Sequence, residues 1–284
     1  MKSFVQFINE GGNALANVSP IAQTDVKPTM DKVYRDLLPL LGLKKSDTRL
    51  LGSTGKKFAD GNSGDIDLAV DVAVLMDYFK TDSPKILMSK MKSAARKISP
   101  EVKILSGIGI VTCAFPLYSK DGRKTDDLVQ LDLMLTEDLN FSQWMYFSPA
   151  AWESDKKGLY RNSALSAIAH HAGRSGDETE WSRKLLNFST GLHDVSFSKK
   201  GKNGNILKHG REMSRKFISK DPQGIIDVLL GPSFKAEDIR TWEDIYAAME
   251  SNNFLWKKDK KTIYKRIAAD VARKGYPVPP EVLF

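Results

Sequence analysis

Between Leu51 and Asp71 the chain passes from a glycine-rich polar turn, "GSTGKK", to the run "DIDLAVD". In that run the apolar side chains fall at Ile66, Leu68 and Val70, and the carboxylates at Asp65 and Asp67. Successive side chains of a strand point to opposite faces. The run therefore predicts a strand with one apolar face and an opposite face that opens on two acids. "LVQLDLMLTE" divides in the same way, with Val129, Leu131, Leu133 and Leu135 on one face and Gln130, Asp132 and Met134 on the other. "GIGIVTCAFPLYS" before it is also β-rich, and "KDGRKTDD" between them is turn-like. These segments predict a hairpin in the sheet that carries Asp65 and Asp67, with Asp126 and Asp127 solvating its loop.

Helical periodicity frames the strands. Pro28 to Leu41 reads as a helix feeding a short strand at Arg49–Leu51. Ser83-Pro84 is a helix start, with serine as cap and proline at the first position, and that helix runs to about Ile98 before "VKIL" begins a strand. The order helix, strand, Gly-Ser turn, strand, helix, strands predicts an α/β (α+β) fold, a mixed sheet with packed helices. Residues 1–140 form this expected first domain. From Phe141 the pattern predicts a mostly helical second domain, 141–284. Its helices are "GLYRNSALSAIAHHAG", ending at Gly173, then "DETEWSRKLLNF", "PQGIIDVLLG", "TWEDIYAAMES" with a capping box from Thr241 to Asp244, and "KKTIYKRIAADVARKG". "SFSKKGKNGNILKHG" reads as a loop.

Composition narrows the class. A chain of 284 residues with 41% hydrophobic content can bury a sizeable core. Its longest apolar runs fall far short of the roughly 18–20 residues that span a membrane. The start "SFVQFINE" lacks a secretory apolar segment, and the single Cys113 can form no internal disulfide. These features predict a cytoplasmic protein without a membrane partner. The net charge of +8 is uneven: residues 151–284 hold 24 Lys/Arg against 17 Asp/Glu, whereas residues 1–150 are nearly balanced at 19 against 18. A basic surplus favours acidic partners, nucleic acid first, or a domain that closes over a triphosphate.

The acids carry the candidate chemistry. Two carboxylates this close repel and call for a counter-charge, for which Mg²⁺ is suited by its preference for oxygen ligands. A solvated strand end is the plain alternative. Gly52-Ser53 and the following Lys56 and Lys57 supply a turn whose backbone N–H groups can approach a phosphate. The Gly55-Lys56 pair does not make the common ATPase phosphate loop, because position 50 is Leu and position 57 is Lys rather than Ser or Thr. Asp132, mid-strand opposite an apolar face, is a candidate third ligand or a salt-bridge partner. Lys156, Lys157 and Arg161 are cations that either meet a phosphate or solvate a helix start. Lys199, Lys200, Lys202, Lys208, Arg211, Arg215 and Lys216 form a basic stretch, either a nucleic-acid track or a solvated surface. His170-His171 lack the spacing of a helical metal pair, and His193-Asp194 reads as a turn.

Gly52-Ser53, a spacer, Asp65-Ile66-Asp67 and a lone Asp132 on a later strand resemble the nucleotidyltransferase superfamily of DNA polymerase beta. "SGDIDL" is especially similar to the GD-apolar-D of that group. The resemblance covers roughly residues 28 to 140. It implies that Ser53 and nearby amides hold the β- and γ-phosphates, that Asp65 and Asp67 bind two Mg²⁺ (or Mn²⁺) ions, and that Asp132 binds only the ion that activates the incoming hydroxyl. A nucleoside monophosphate would pass from an NTP such as ATP to an acceptor hydroxyl, with loss of pyrophosphate. Two features depart from the templated polymerases: Thr54-Gly55-Lys56-Lys57 stands where they carry arginines, and no helix-hairpin-helix unit is evident. A template-independent reaction on an RNA or DNA 3′ end is therefore the expectation. Transfer to a protein or small-molecule hydroxyl, and a non-catalytic nucleotide- or nucleic-acid-binding fold, are the alternatives. The opening "MKSFVQFINEGG" is similar to the starts of many large-phage proteins.

Overall fold

The computed structural model describes residues 14–58, 60–201 and 205–283. The opening segment through residue 13 and Lys202 lie outside the described residues. The chain divides into two compact units, one up to Asp155 and one from Lys156.

In the first unit, β1 (Ile21–Ala22) leads into α1 (Gln23–Lys32), and β2 (Thr48–Leu50) precedes the Gly-Ser turn. β3 (Asn62–Ser63) pairs with β1 in a small sheet. β4 (Asp65–Asp71) passes directly into α2 (Val72–Phe79), followed by α3 (Pro84–Ala95), β5 (Val102–Leu105), β6 (Ile110–Tyr118), β7 (Lys124–Thr136) and α4 (Leu139–Met145). The main sheet has the order β2-β4-β7-β6-β5 and is mixed: β4 and β7 run parallel, and every other neighbouring pair is antiparallel. Its apolar face carries Ile66, Leu68, Val70, Val129, Leu131 and Leu133, all fully enclosed. These pack into one core with Val26, Met30, Leu37, Leu87 and Met91 from the helical segments. Burial of each such side chain stabilises by roughly 1.5–3 kcal/mol, so the alternation that makes one face apolar also orients the acids away from the core.

Local details differ from expectation in three places. The first helix begins at Gln23 with Pro28 inside it, and the following turns are π (Val33–Leu37) and 3₁₀ (Leu38–Leu41), ending where Gly42 adopts φ +69°. The hairpin loop is shorter than "KDGRKTDD": Ser119 to Arg123 close it, and β7 starts at Lys124 because Tyr118 pairs with that residue. Asp126 and Asp127 therefore stand on the strand, where Asp127 accepts a hydrogen bond from Ser19 Oγ at 3.0 Å. Ser83 caps α3 as predicted.

The second unit is not mostly helical. α5 (Gly158–His171) is followed by β8 (Ser175–Gly176), β9 (Glu180–Asn187), β10 (Gly191–Lys200) and β11 (Ile206–Ser219), an antiparallel sheet of order β11-β10-β9-β8. Then come α6 (Pro222–Leu229), α7 (Trp242–Glu250) and α8 (Lys260–Arg273). "EWSRKLLN" is thus a strand rather than a helix, and much of the expected loop is β10 and β11. Its periodicity is ambiguous, and the deciding partner is β10, whose residues pair with β9 from Asn187–Gly191 to Glu180–Ser198. The turn between them is built by Asn187, whose side chain accepts from the Ser189 and Thr190 amides at 2.8 Å, and by Gly191 at φ +90°. The Thr241–Asp244 capping box is formed as expected.

Candidate metal centre

Asp65 and Asp67 leave β4 on the face away from the core, and Asp67 is the register partner of Asp132 on β7. Asp65, Asp67 and Asp132 converge so that one carboxylate oxygen from each lies within 4.8 Å of the others. Asp132 is buried, and Asp65 and Asp67 are partly exposed. Asp71, at the far end of β4, plays a different part, capping α2 with a side chain that accepts from the Ala73 and Val74 amides.

Crowding three acids in a partly dry site shifts their chemistry. Burial, then the charge of Asp65, raises the Asp132 carboxyl to about 7. Asp67 is pushed well above the usual carboxylate range by burial first, then by Asp65 and Asp132. Burial and the Asp132 charge push the neighbouring Cys113 thiol up to about 12, so this cysteine is an inert packing residue. Oxygen-only donors of this kind fit a hard divalent cation such as Mg²⁺ or Mn²⁺, which would turn mutual repulsion into ligation.

Gln130 carries no functional signal in the sequence, yet it lies two residues before Asp132 on the same face. Its Nε2 donates to both Asp132 oxygens, at 3.2 and 3.1 Å, and its Oε1 accepts the amides of Ala14 and Leu15. It is itself buried, so one amide side chain orients a candidate ligand and holds the backbone at Ala14 and Leu15. Tyr146 has no sequence signal either. Its carbonyl accepts the Gly52 amide at 3.2 Å, and burial together with the Asp67 charge raises its phenol pKa.

The Gly-Ser turn lies against the acids. Leu51 N–H donates to the Asp67 carbonyl at 2.9 Å, and the Thr54 hydroxyl donates to the Asp65 carbonyl at 3.0 Å. Gly52 has φ +63°, and a Cβ there would stand 2.8 Å from Asp67 Oδ2, so both conformation and space require glycine. The backbone N–H groups of Ser53, Thr54 and Gly55 donate to no partner among the described residues, nor does the Ser53 hydroxyl. Consecutive unpaired amides beside a candidate cation site are a donor set that suits a phosphate.

The lysines are already engaged. Lys56 Nζ donates to the Ser148 carbonyl at 2.9 Å and sits 4.4 Å from the Phe147 ring centroid. Lys57 Nζ donates to the Asn62 carbonyl. Lys157 and Arg161 belong to the second unit. Lys157 is exposed and lies over the Tyr276 ring at 4.9 Å. Arg161 is enclosed, donating from Nε to the Ile239 carbonyl at 2.7 Å and from Nη1 to Asn162 at 3.2 Å. Its placement lends no support to a nucleotide contact. His193 and Asp194 stand on β10, not in a turn; His193 Nε2 meets Thr190 Oγ1 at 2.9 Å, and Asp194 pairs with Lys184 at 2.7 Å.

No helix among the described residues is long and apolar enough to cross a membrane. Comparison of the chain with models of protein families and with curated proteins gives no match.

Proposed function

We propose that this protein is a metal-dependent nucleotidyltransferase that moves a nucleoside monophosphate from an NTP to an acceptor hydroxyl. The observation that carries the reading is the convergence of Asp65, Asp67 and Asp132 beside a Gly-Ser turn with free amides. Asp65 and Asp67 would hold two Mg²⁺ ions, and Asp132 one of them. When bound, the ions supply charge neutralisation for an in-line displacement. The acceptor oxygen forms a bond to the α-phosphorus, the bond to the bridging oxygen of pyrophosphate breaks, and the hydroxyl proton leaves to solvent or a nearby base. Ser53 Oγ and the amides of residues 53–55 would hold the departing phosphates. Gln130 orients Asp132, and Gly52 lets the turn close onto Asp67.

The preferred acceptor is the 3′ end of RNA or DNA, in keeping with the basic surplus of the second half. The test is incubation with each labelled NTP, Mg²⁺ or Mn²⁺, and separate pools of RNA, DNA and protein. Label appearing on nucleic acid with the intact protein, and absent with Asp65→Ala/Asp67→Ala, supports the reading. Undiminished transfer by that variant would overturn it.

A further inference from the structure

The second unit gathers cations without matching acids. Arg174 follows α5, Arg183 stands on β9 and Arg266 on α8, and none of the three makes an ion pair among the described residues. Arg183 Nε and His170 Nδ1 are buried without hydrogen-bond partners among them. The rings of His170 and His171 lie 5.2 Å apart. The acids near the cluster are few. Asp270 acts on Arg266 but is bonded to Lys274 at 2.8 Å and to Arg273, and exposed Asp259 acts on His171. The fold brings these groups together, because α5 packs against both β9 and α8, and Ser175 of β8, next to Arg174, pairs with Ser182 of β9, next to Arg183. In keeping with that, burial, then Arg266 and Arg183, holds the His170 imidazole down to about 3, and burial, then Arg266 and Arg174, lowers Arg183. A buried guanidinium donor with no acceptor costs free energy that an anion would offset. Arg174 and Arg266 are exposed, so the cluster is reachable from solvent.

The same sheet face continues into aromatic rings. Trp181, two residues from Arg183 on β9, pairs in register with Phe197 on β10. Their rings stack at 5.4 Å with 13° between planes. Arg183 lies 4.9 Å over Phe197, and Lys199 lies 5.9 Å from Trp181. On the edge strand β11, Glu212 and Arg215 stand opposite Phe197 and Val195 and pair with each other at 2.8 Å, whereas Arg211 and Lys216 stand opposite Ser198 and Asp194, on the other face of the sheet. A free phosphate would use only the arginines. Cations alternating with partly exposed rings match the alternating phosphates and bases of an unpaired strand.

We propose that Arg174, Arg183 and Arg266, with His170 beside them, form a site for a backbone phosphate of single-stranded nucleic acid, with Trp181 and Phe197 as the adjoining base platform. As an acceptor site this rests on the nucleotidyltransferase reading; as a binding site it does not.

The test is fluorescence anisotropy of the full chain with a short labelled single-stranded oligonucleotide, without metal or NTP. Arg183→Gln/Arg266→Gln should bind at least about tenfold more weakly, with a salt slope smaller by about one per arginine removed. Exposed Arg174→Gln, which leaves packing intact, should weaken binding in the same direction. Lys27→Gln, an equal loss of charge in the first unit, should bind as the parent does. Circular dichroism checks folding of each variant. Asp65→Asn/Asp67→Asn should keep oligonucleotide binding while losing transfer, so failure of the chemistry and failure of this site are separable. Unchanged binding by Arg174→Gln and the double variant, or titration by inorganic phosphate with no oligonucleotide binding, would overturn the proposal.

Discussion

Asp67 and Asp132 are register partners on parallel strands, so their carboxylates leave the sheet side by side on one face. Neighbouring strands lie about 4.8 Å apart, so two acids placed in this way cannot avoid each other. The cost of that proximity is the physical signature of the site, and it is measurable without any substrate.

The first consequence is a pH dependence of stability. Asp132 titrates at about 7 in the folded chain against an ordinary value of 3.8. Between those values the folded state holds this proton more tightly than the unfolded state, so the contribution of Asp132 to stability is full below about pH 4, is lost as pH rises to about 7, and is flat beyond. A shift of this size corresponds to about 4 kcal/mol. Urea unfolding in the presence of a chelator should give a higher midpoint at pH 5 than at pH 8. Asp132→Asn should shrink the difference and leave the share that buried Asp67 contributes, and a higher midpoint at pH 8 would count against the crowding of these acids.

Metal should reverse the penalty. A ligand that binds only the folded state at a hundred times its Kd stabilises by about 2.7 kcal/mol. Thermal unfolding with added Mg²⁺ should show a rise in Tm at pH 8, a smaller rise at pH 5, and none in Asp65→Asn/Asp67→Asn. An equal rise in that variant would mean the ion binds elsewhere.

Two glycines separate strain from site geometry. Gly52 and Gly55 have φ of +63° and +78°, so alanine at either costs about 1–2 kcal/mol of backbone strain. Only at Gly52 would the new Cβ meet a carboxylate, at 2.8 Å from Asp67 Oδ2; at Gly55 its nearest neighbours are Leu50 and Val26 at 3.8 Å. Gly52→Ala should lower kcat by at least about tenfold and weaken Mg²⁺ binding, whereas Gly55→Ala should lose stability with metal binding retained. Isothermal titration with Mg²⁺ alongside a transfer assay reads both.

Gln130→Leu should remove both amide functions at once. The Ala14 and Leu15 amides lose their acceptor and Asp132 loses its donor, for a loss of about 1–3 kcal/mol. Without that donor the Asp132 titration should move further upward, so the acid limb of a kcat–pH profile should shift to higher pH. A profile that stays in place while stability falls would leave Gln130 a purely structural anchor.

Arg161→Ala separates structure from nucleotide binding. Its Nε–Ile239 carbonyl bond at 2.7 Å lies inside the second unit, and burial lowers its pKa to about 9. Removing the side chain should destabilise by about 2–5 kcal/mol through the cavity and the orphaned carbonyl. KM for NTP should be unchanged in the folded fraction, and a selective rise in KM would return Arg161 to the nucleotide site.

The two-residue alternation of "DIDLAVD" and "LVQLDLM" by itself determined that both strands carry one apolar face, that the acids lie opposite it, and that the fold is a mixed α and β one. Ser83-Pro84 and Thr241–Asp244 were equally legible, because capping is local chemistry. The parallel pairing that puts Asp67 beside Asp132 came only with the tertiary structure, as did the approach of Tyr146 to the Gly-Ser turn, since no short-range pattern encodes a strand's distant neighbour. The same limit explains "EWSRKLLN". Its side chains suit a helix or a strand, and the backbone hydrogen bonds offered by β10 decided between them. Arg161 shows the converse: its charge suggested a surface role, but enclosure within the second unit gave its guanidinium an internal carbonyl to hold.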